Sequence, residues 1–206
     1  MWSAIESVVR RVLDVVVAII GLALTSPILI VAAIAVRMDS PGRALFGAPR
    51  IGRGGREFHM WKLRSMYTGS AAAGPPITAA DDPRVTRTGR LLRKTKVDEL
   101  PQLFNVLVGD MSVVGPRPED PGIVLRYTPR QMETLRVRPG ITGPGSLFYE
   151  REQVHTIPED VPADEYYIEH LLGPKLDLEL EYLENRTLGK DLRIIWETVA
   201  HLIRRE

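Results

Sequence analysis

The feature that most limits what this chain can fold into is an uncharged run from Val15 to Val36, where nearly every position is Val, Ala, Ile or Leu. About 20 consecutive apolar residues is the length a helix needs to cross the hydrocarbon core of a bilayer. Three readings of the run compete. A secretory signal would use Arg10 and Arg11 as its basic end and Ala33-Ile34-Ala35 as a small-x-small site, but the run is too long for one. A single spanning helix is the default. A helix that enters the membrane and turns back is favoured by two details. Ser26-Pro27 sits mid-run, where proline removes a backbone donor and bends a helix, and the serine hydroxyl can satisfy a freed backbone group. Arg10 and Arg11 flank one end, and Arg37, Arg43, Arg50 and Arg53 the other. Basic residues favour the cytoplasmic side, so this pattern fits only if both ends face it. Residues 1–37 are expected to form the re-entrant helix-break-helix, and 38–206 a cytoplasmic domain.

Elsewhere the composition is that of a compact fold. Lys and Arg number 27 against 26 Asp and Glu, a net charge of +1, which argues against a nucleic-acid partner. The absence of cysteine excludes disulfides and thiolate metal sites. None of His59, His155, His170 and His201 forms a metal-spaced pair with another, so all four are expected to be structural or exposed.

Asp39-Ser40-Pro41-Gly42 is a turn signal that ends the membrane element. Residues 43–66 read as a short hairpin or extended segment, with Gly52, Gly54 and Gly55 at its turn. Residues 69–82 read as a flexible loop, either a cover for a site or a plain connector. Arg84, Arg87, Arg90, Arg93, Lys94 and Lys96 then cluster at a spacing that puts neighbouring arginines near one helix face. That face is either solvated, laid on anionic headgroups, or a holder of phosphates; Arg93, nearest the carboxylates that follow, is the phosphate candidate. Leu100, Leu103, Phe104 and Leu107 predict a helix over 100–108, started near Asp98 because Pro101 fits only a first turn. Residues 111–150 read as loops and short strands. Thr187 is the expected N-cap of a helix reaching about 204, whose stripe of Leu192, Ile195, Trp196, Val199 and Ile203 faces either the core or a membrane. The expected class is α+β, mainly helical, with short strands and interfacial amphipathic helices.

Asp98-Glu99 is the most informative pair. Adjacent carboxylates at a helix start are stabilised as anions by unpaired N–H groups and the macrodipole. Asp as N-cap and Glu in a first turn would also account for them without any chemistry. The arginines upstream and the Gly115-Pro116-Arg117-Pro118 segment downstream favour a site.

The stretch Arg90 to Glu119, with Lys96-Val-Asp-Glu-Leu-Pro-Gln-Leu-Phe-Asn105 at its centre, resembles the core signature of bacterial sugar transferases. These are small monotopic phosphoglycosyl transferases that begin glycan assembly on a polyprenyl carrier. The likeness extends to Ser26-Pro27, Ser40-Pro41-Gly42, Trp61 to Met66, Asp82 to Arg87, Arg138-Pro-Gly-Ile-Thr-Gly143 and Asp191-Leu-Arg193, nearly the whole chain. The resemblance implies Asp98 as a nucleophile that takes the sugar phosphate from a UDP-sugar, expels UMP, and passes its cargo to polyprenyl (undecaprenyl) phosphate. It implies Mg²⁺ on Asp98 and Glu99, with Arg93 and Arg117 adding positive charge. Arg138, Lys62 and Arg64 are further candidates for binding phosphate or nucleotide. It also implies a bacterial inner membrane location, with the catalytic domain on the cytoplasmic face among membrane lipids, and leaves a homodimer open. One departure is clear. Relatives continue Pro-Gly-Ile-Thr-Gly with a Trp-Ala-Gln-type sequence, whereas this chain reads Pro144-Gly-Ser-Leu-Phe-Tyr-Glu-Arg-Glu152, so the sugar stays open. A membrane-bound nucleotide-sugar pyrophosphatase, with water as acceptor, and a non-catalytic scaffold for glycan assembly are the alternatives.

Overall fold

The computed structural model describes residues 4–70, 82–156 and 161–204, the side chains of 4 and 151–156 excepted. Most of the expected 69–82 loop and the His155 side chain lie outside the described residues.

The chain opens with α1 (Ala4–Asp39), 36 residues long and so about 54 Å along its axis. By length and composition it could cross a membrane. It continues through Pro27 without interruption, so the expected division into two helices at Ser26-Pro27 is corrected. The cause is local. Pro27 offers no N–H to the Ala23 carbonyl, and Ser26 Oγ donates to that oxygen instead, at 2.9 Å. The hydroxyl replaces the missing ladder bond.

One stripe of α1 faces the rest of the molecule: Arg10, Asp14, Ala18, Ala32 and Val36 are buried at helical spacing. At Gly21 on the same stripe, a Cβ would stand 2.9 Å from Leu103 Cδ1, so glycine lets the neighbouring helix approach. The opposite face is bare, with Leu24 73% and Val31 67% exposed. Both ends are fastened to one domain. Near the start, Arg10 Nε pairs with Asp191 Oδ2 at 2.8 Å, and Asp14 accepts from Ser112 Oγ and the Val113 amide, both at 2.8 Å. At the end, Arg64 donates to Ser40 O and Pro41 O, both at 2.7 Å.

The expected hairpin is β1 (Leu45–Ile51) and β2 (Glu57–Leu63), paired antiparallel from Leu45 opposite Leu63 to Ile51 opposite Glu57. Its turn uses Gly54 and Gly55 at φ 71° and 76°, a region open to glycine at little cost. Next, α2 (Arg87–Thr95) starts at Thr86, whose hydroxyl accepts from the Gly89 amide, and ends at Lys96 in the left-handed region, φ 57°. A 3₁₀ turn, Val97–Glu99, follows, and α3 (Gln102–Val108) begins only after Pro101. The expected start near Asp98 is thereby corrected: the Glu99 and Leu100 amides bond three residues back, to Lys96 O and Val97 O. Asn105 ties α3 to β2, accepting from the Trp61 amide at 2.9 Å and donating to His59 O at 2.8 Å.

β3 (Ser112–Val114) and β4 (Gly140–Thr142) form a parallel pair, with α4 (Pro121–Val124) between them in sequence. α5 (Pro144–Thr156) is helical where loops and short strands were expected. α6 (Ala163–Tyr166) leads through a π turn at Tyr167–Leu171 into α7 (Leu172–Glu184). α8 (Leu188–Ile203) begins where expected, with Thr187 Oγ1 accepting from the Lys190 amide at 3.2 Å. Its exposed stripe carries Leu192, Val199, Ile203 and Trp196, the last 72% exposed, while Ile194 is buried. The fold is mainly helical with a few short strands. Ala18, Met60, Val106 and Met111 form one core cluster, which joins α1 to the hairpin and α3.

Candidate active site

The sharp reversal at Lys96 delivers Asp98 and Glu99 on the 3₁₀ turn between α2 and α3. The two carboxyls meet different surroundings. Asp98 is buried, and its Oδ1 has no hydrogen-bond partner among the described residues. Burial and the adjacent Glu99 charge raise its pKa, while Lys62, Arg93 and Lys96 pull it back toward the anion. For Glu99, burial also works against charge, but Arg117 and Lys62 outweigh it and hold the group well below the usual carboxylate range. Lys62 Nζ reaches Glu99 Oε1 at 2.9 Å from β2, and Arg117 Nη2 donates to the same oxygen from the loop after β3. One carboxylate is clamped, and its neighbour keeps an oxygen without a hydrogen bond among the described residues. Such a split between adjacent acids is the pattern that gives each its own role.

Arg93 stands on the last turn of α2, with Nε donating to Ser65 Oγ at 2.8 Å, and its charge acts on Asp98. Lys62, Arg93, Asp98, Glu99 and Arg117 thus come together as expected. Two other candidates do not join them. The Arg64 guanidinium is occupied by carbonyls at the end of α1. Arg138 Nε donates to Gly109 O at 2.8 Å, beside Arg11, which bonds Val106 O and Leu107 O. Helix C-termini present unpaired carbonyls and partial negative charge, which guanidinium groups satisfy well.

A buried layer behind the cluster went unread in the sequence. Glu179 of α7 is 0% exposed. Its Oε1 accepts from the Gly145 amide at 3.1 Å, and the Arg117 amide faces the same carboxyl. Burial pushes the Glu179 pKa up to about 8. Beside it, Glu119 accepts from both Lys175 Nζ and Tyr167 Oη. Glu179 and Lys175 are four apart on one helix, a spacing that reads equally well as a solvated charged face. Lys96 was named only as part of the basic cluster, and its ion pair with Glu150 at 2.8 Å had no signal in sequence.

Among the described residues, no group of three or more His, Asp and Glu side chains gathers to hold a metal. Asp98 and Glu99 still suit Mg²⁺, which commonly takes one or two carboxylates and completes its shell with water and phosphate oxygens. The unbonded Asp98 Oδ1 is the oxygen available for it.

Comparison with known proteins gives the chain's family. The model of the bacterial sugar transferase family matches residues 5–205. A UDP-N-acetylgalactosamine-undecaprenyl-phosphate N-acetylgalactosaminephosphotransferase of Aeromonas hydrophila is 35% identical over 98% of this chain and 45% of its own length. A UDP-glucose:undecaprenyl-phosphate glucose-1-phosphate transferase of Caulobacter vibrioides is 39% identical over 94% of this chain and 69% of its own length. The exopolysaccharide production protein PSS of Rhizobium leguminosarum bv. phaseoli is 35% identical, with 95% of each chain covered. The chain therefore spans under half the length of the Aeromonas relative, about two thirds of the Caulobacter one and nearly all of the Rhizobium one. With the family model matched along almost its entire length, the chain belongs to the bacterial sugar transferase family.

Proposed function

We propose that this chain transfers a sugar-1-phosphate from a UDP-sugar to polyprenyl (undecaprenyl) phosphate, with Asp98 as the nucleophile. The observation that carries the reading is the contrast between Asp98, buried with an unbonded oxygen, and Glu99, clamped by Lys62 and Arg117. A raised pKa makes the Asp98 carboxylate a stronger nucleophile, and Lys62, Arg93 and Lys96 keep its anionic form accessible.

In the first step an Asp98 oxygen bonds to the sugar-bearing phosphorus, and the bridging P–O bond breaks with its electron pair leaving on UMP. In the second, an oxygen of polyprenyl phosphate attacks the same phosphorus, and the Asp98 carboxylate departs. The product is a polyprenyl-diphosphate sugar. A covalent intermediate divides one hard transfer into two easier ones. Arg93 and Arg117 offset the charge of the phosphates, whose mutual repulsion is the main obstacle. Mg²⁺ bound at Asp98 and Glu99 would supply further positive charge to the phosphate oxygens.

The fastening of both α1 ends to one domain supports a placement with both ends on one face of the membrane. Arg10 and Asp14 hold the start and Arg64 the exit, so a domain confined to one side keeps both ends with it. The bare apolar face of α1 and the outward stripe of α8 would lie in lipid, on the cytoplasmic face of the inner membrane. A site at headgroup depth meets the acceptor's phosphate without extracting its tail, which costs about 0.8 kcal/mol per CH₂ exposed.

Incubation with labelled UDP-sugar and polyprenyl phosphate tests the reading. Label entering the organic phase, with UMP released in equal amount, is the expected result. Sugar phosphate released only to water would identify a pyrophosphatase. Organic-phase label that persists in Asp98→Asn would remove the nucleophile assignment.

A further inference from the structure

A cavity of about 170 Å³ lies beside the carboxylate pair, between α3, α5, α8 and β4. That is smaller than the roughly 300–1,000 Å³ that encloses a whole small ligand, so it fits a segment of one. Its lining includes Lys96, Glu99 and Arg117 beside the apolar Leu100, Leu103, Ile141, Leu147 and Leu202. Most polar groups around it are satisfied by one another: Lys96 pairs with Glu150, Arg117 with Glu99, and Thr142 with Thr198, while Ser146 Oγ has no partner among the described residues. A sugar there would find few free partners for its hydroxyls, and unmet polar groups are costly to bury. An apolar segment needs none.

One wall of the cavity belongs to the surface read as facing lipid. Leu202 is 42% exposed and lies on α8 with Val199 and Ile203, which are 43% and 71% exposed. Glu99, the neighbour of Asp98, lines the same cavity, so a branched hydrocarbon segment seated there would end beside the reacting carboxylate.

We propose that this cavity receives the first isoprenyl segment of the acceptor and so directs its phosphate to the Asp98 phosphorus. The inference rests on the transferase reading above and adds the acceptor's place within the site. It also gives the departure at Ser146, Leu147 and Glu150 a role in lining the acceptor's path, since all three border the cavity.

The two half-reactions separate the possibilities. Leu202 is 42% exposed, so Leu202→Trp narrows the cavity from its exposed wall, and Leu202→Met is its volume-conserving control. In detergent-solubilised protein with bound Mg²⁺, donor alone is added first and adduct formation followed; undecaprenyl phosphate is then added and the transfer timed. The expected result for Leu202→Trp is adduct formation within about twofold of wild type and transfer slowed by about tenfold, the scale of losing one or two buried CH₂ contacts, with Leu202→Met close to wild type throughout. Unchanged transfer in Leu202→Trp overturns the proposal. Adduct formation slowed as much as transfer also overturns it, and assigns the cavity to the donor's sugar. Failure of the wild-type protein to form any adduct while transfer proceeds removes the Asp98 intermediate of the reading above, and with it an acceptor phosphate directed to the Asp98 phosphorus.

Discussion

Gly89 of α2 lies so close to the Ser65 backbone that a Cβ at position 89 would stand 2.0 Å from the Ser65 carbonyl oxygen. One turn further along the same helix, Arg93 bonds the Ser65 hydroxyl. The close approach therefore sets where Arg93 stands relative to Asp98. In an exposed helix, Gly→Ala stabilises by about 1 kcal/mol. Here the sign reverses: Gly89→Ala is expected to destabilise by about 1–3 kcal/mol, the usual range for overpacking. Turnover should fall by more than the lost folded fraction. Denaturant unfolding beside the UMP-release rate checks both.

Arg117 and Lys62 share one oxygen of a buried carboxylate. Removing one member of such a cluster leaves uncompensated charge, so Arg117→Ala is expected to cost about 3–5 kcal/mol of stability. Arg117→Lys keeps the charge without the planar fork, and should fold better yet remain slow. Unfolding curves and turnover measured on both variants separate charge from geometry.

Glu179 gives the fold a pH dependence of unusual sign. Its pKa of about 8 in the folded chain exceeds the ordinary carboxyl value of 4.5. The folded state therefore holds more protons than the unfolded state between those values. This contribution is fully present below 4.5 and is lost as pH rises through about 8. Glu179→Gln should raise Tm relative to wild type, by a margin that grows from pH 5 to about 8 and then levels. A margin that does not change with pH would show that Glu179 stays charged.

Because the chain has no cysteine, single cysteines report topology without background. Ile5→Cys and Arg43→Cys, one at each end of α1 and both on exposed positions, are expected to react with an impermeant maleimide from the same side of oriented vesicles. Labelling from opposite sides would mean that α1 spans.

Legibility followed the range of the physics. The β1–β2 hairpin and the start of α8 at Thr187 are written in local patterns and stand where those patterns put them, whereas Asp98 and Glu99 sit on a 3₁₀ turn ahead of the helix they were expected to start. The continuity of α1 through Pro27 was harder to read, because it depends on where the Ser26 hydroxyl points. α5 was missed because it opens with Pro144-Gly145, which reads as a turn. Arg64 and Arg138 looked like Arg93 and Arg117 in sequence. Only tertiary contacts decide which guanidinium serves backbone carbonyls and which faces a carboxylate. Burial of Glu179 and Lys175 depends on loops more than 25 residues upstream, beyond any local period.

The most direct test of the account is the mass of the intact protein after exposure to donor alone, with Mg²⁺ and without any polyprenyl phosphate. The expected result is a gain equal to one sugar phosphate, mapped by proteolysis to Asp98 and absent in Asp98→Asn. An unchanged mass under conditions where the complete reaction turns over rapidly, or a gain that survives in Asp98→Asn, would contradict it.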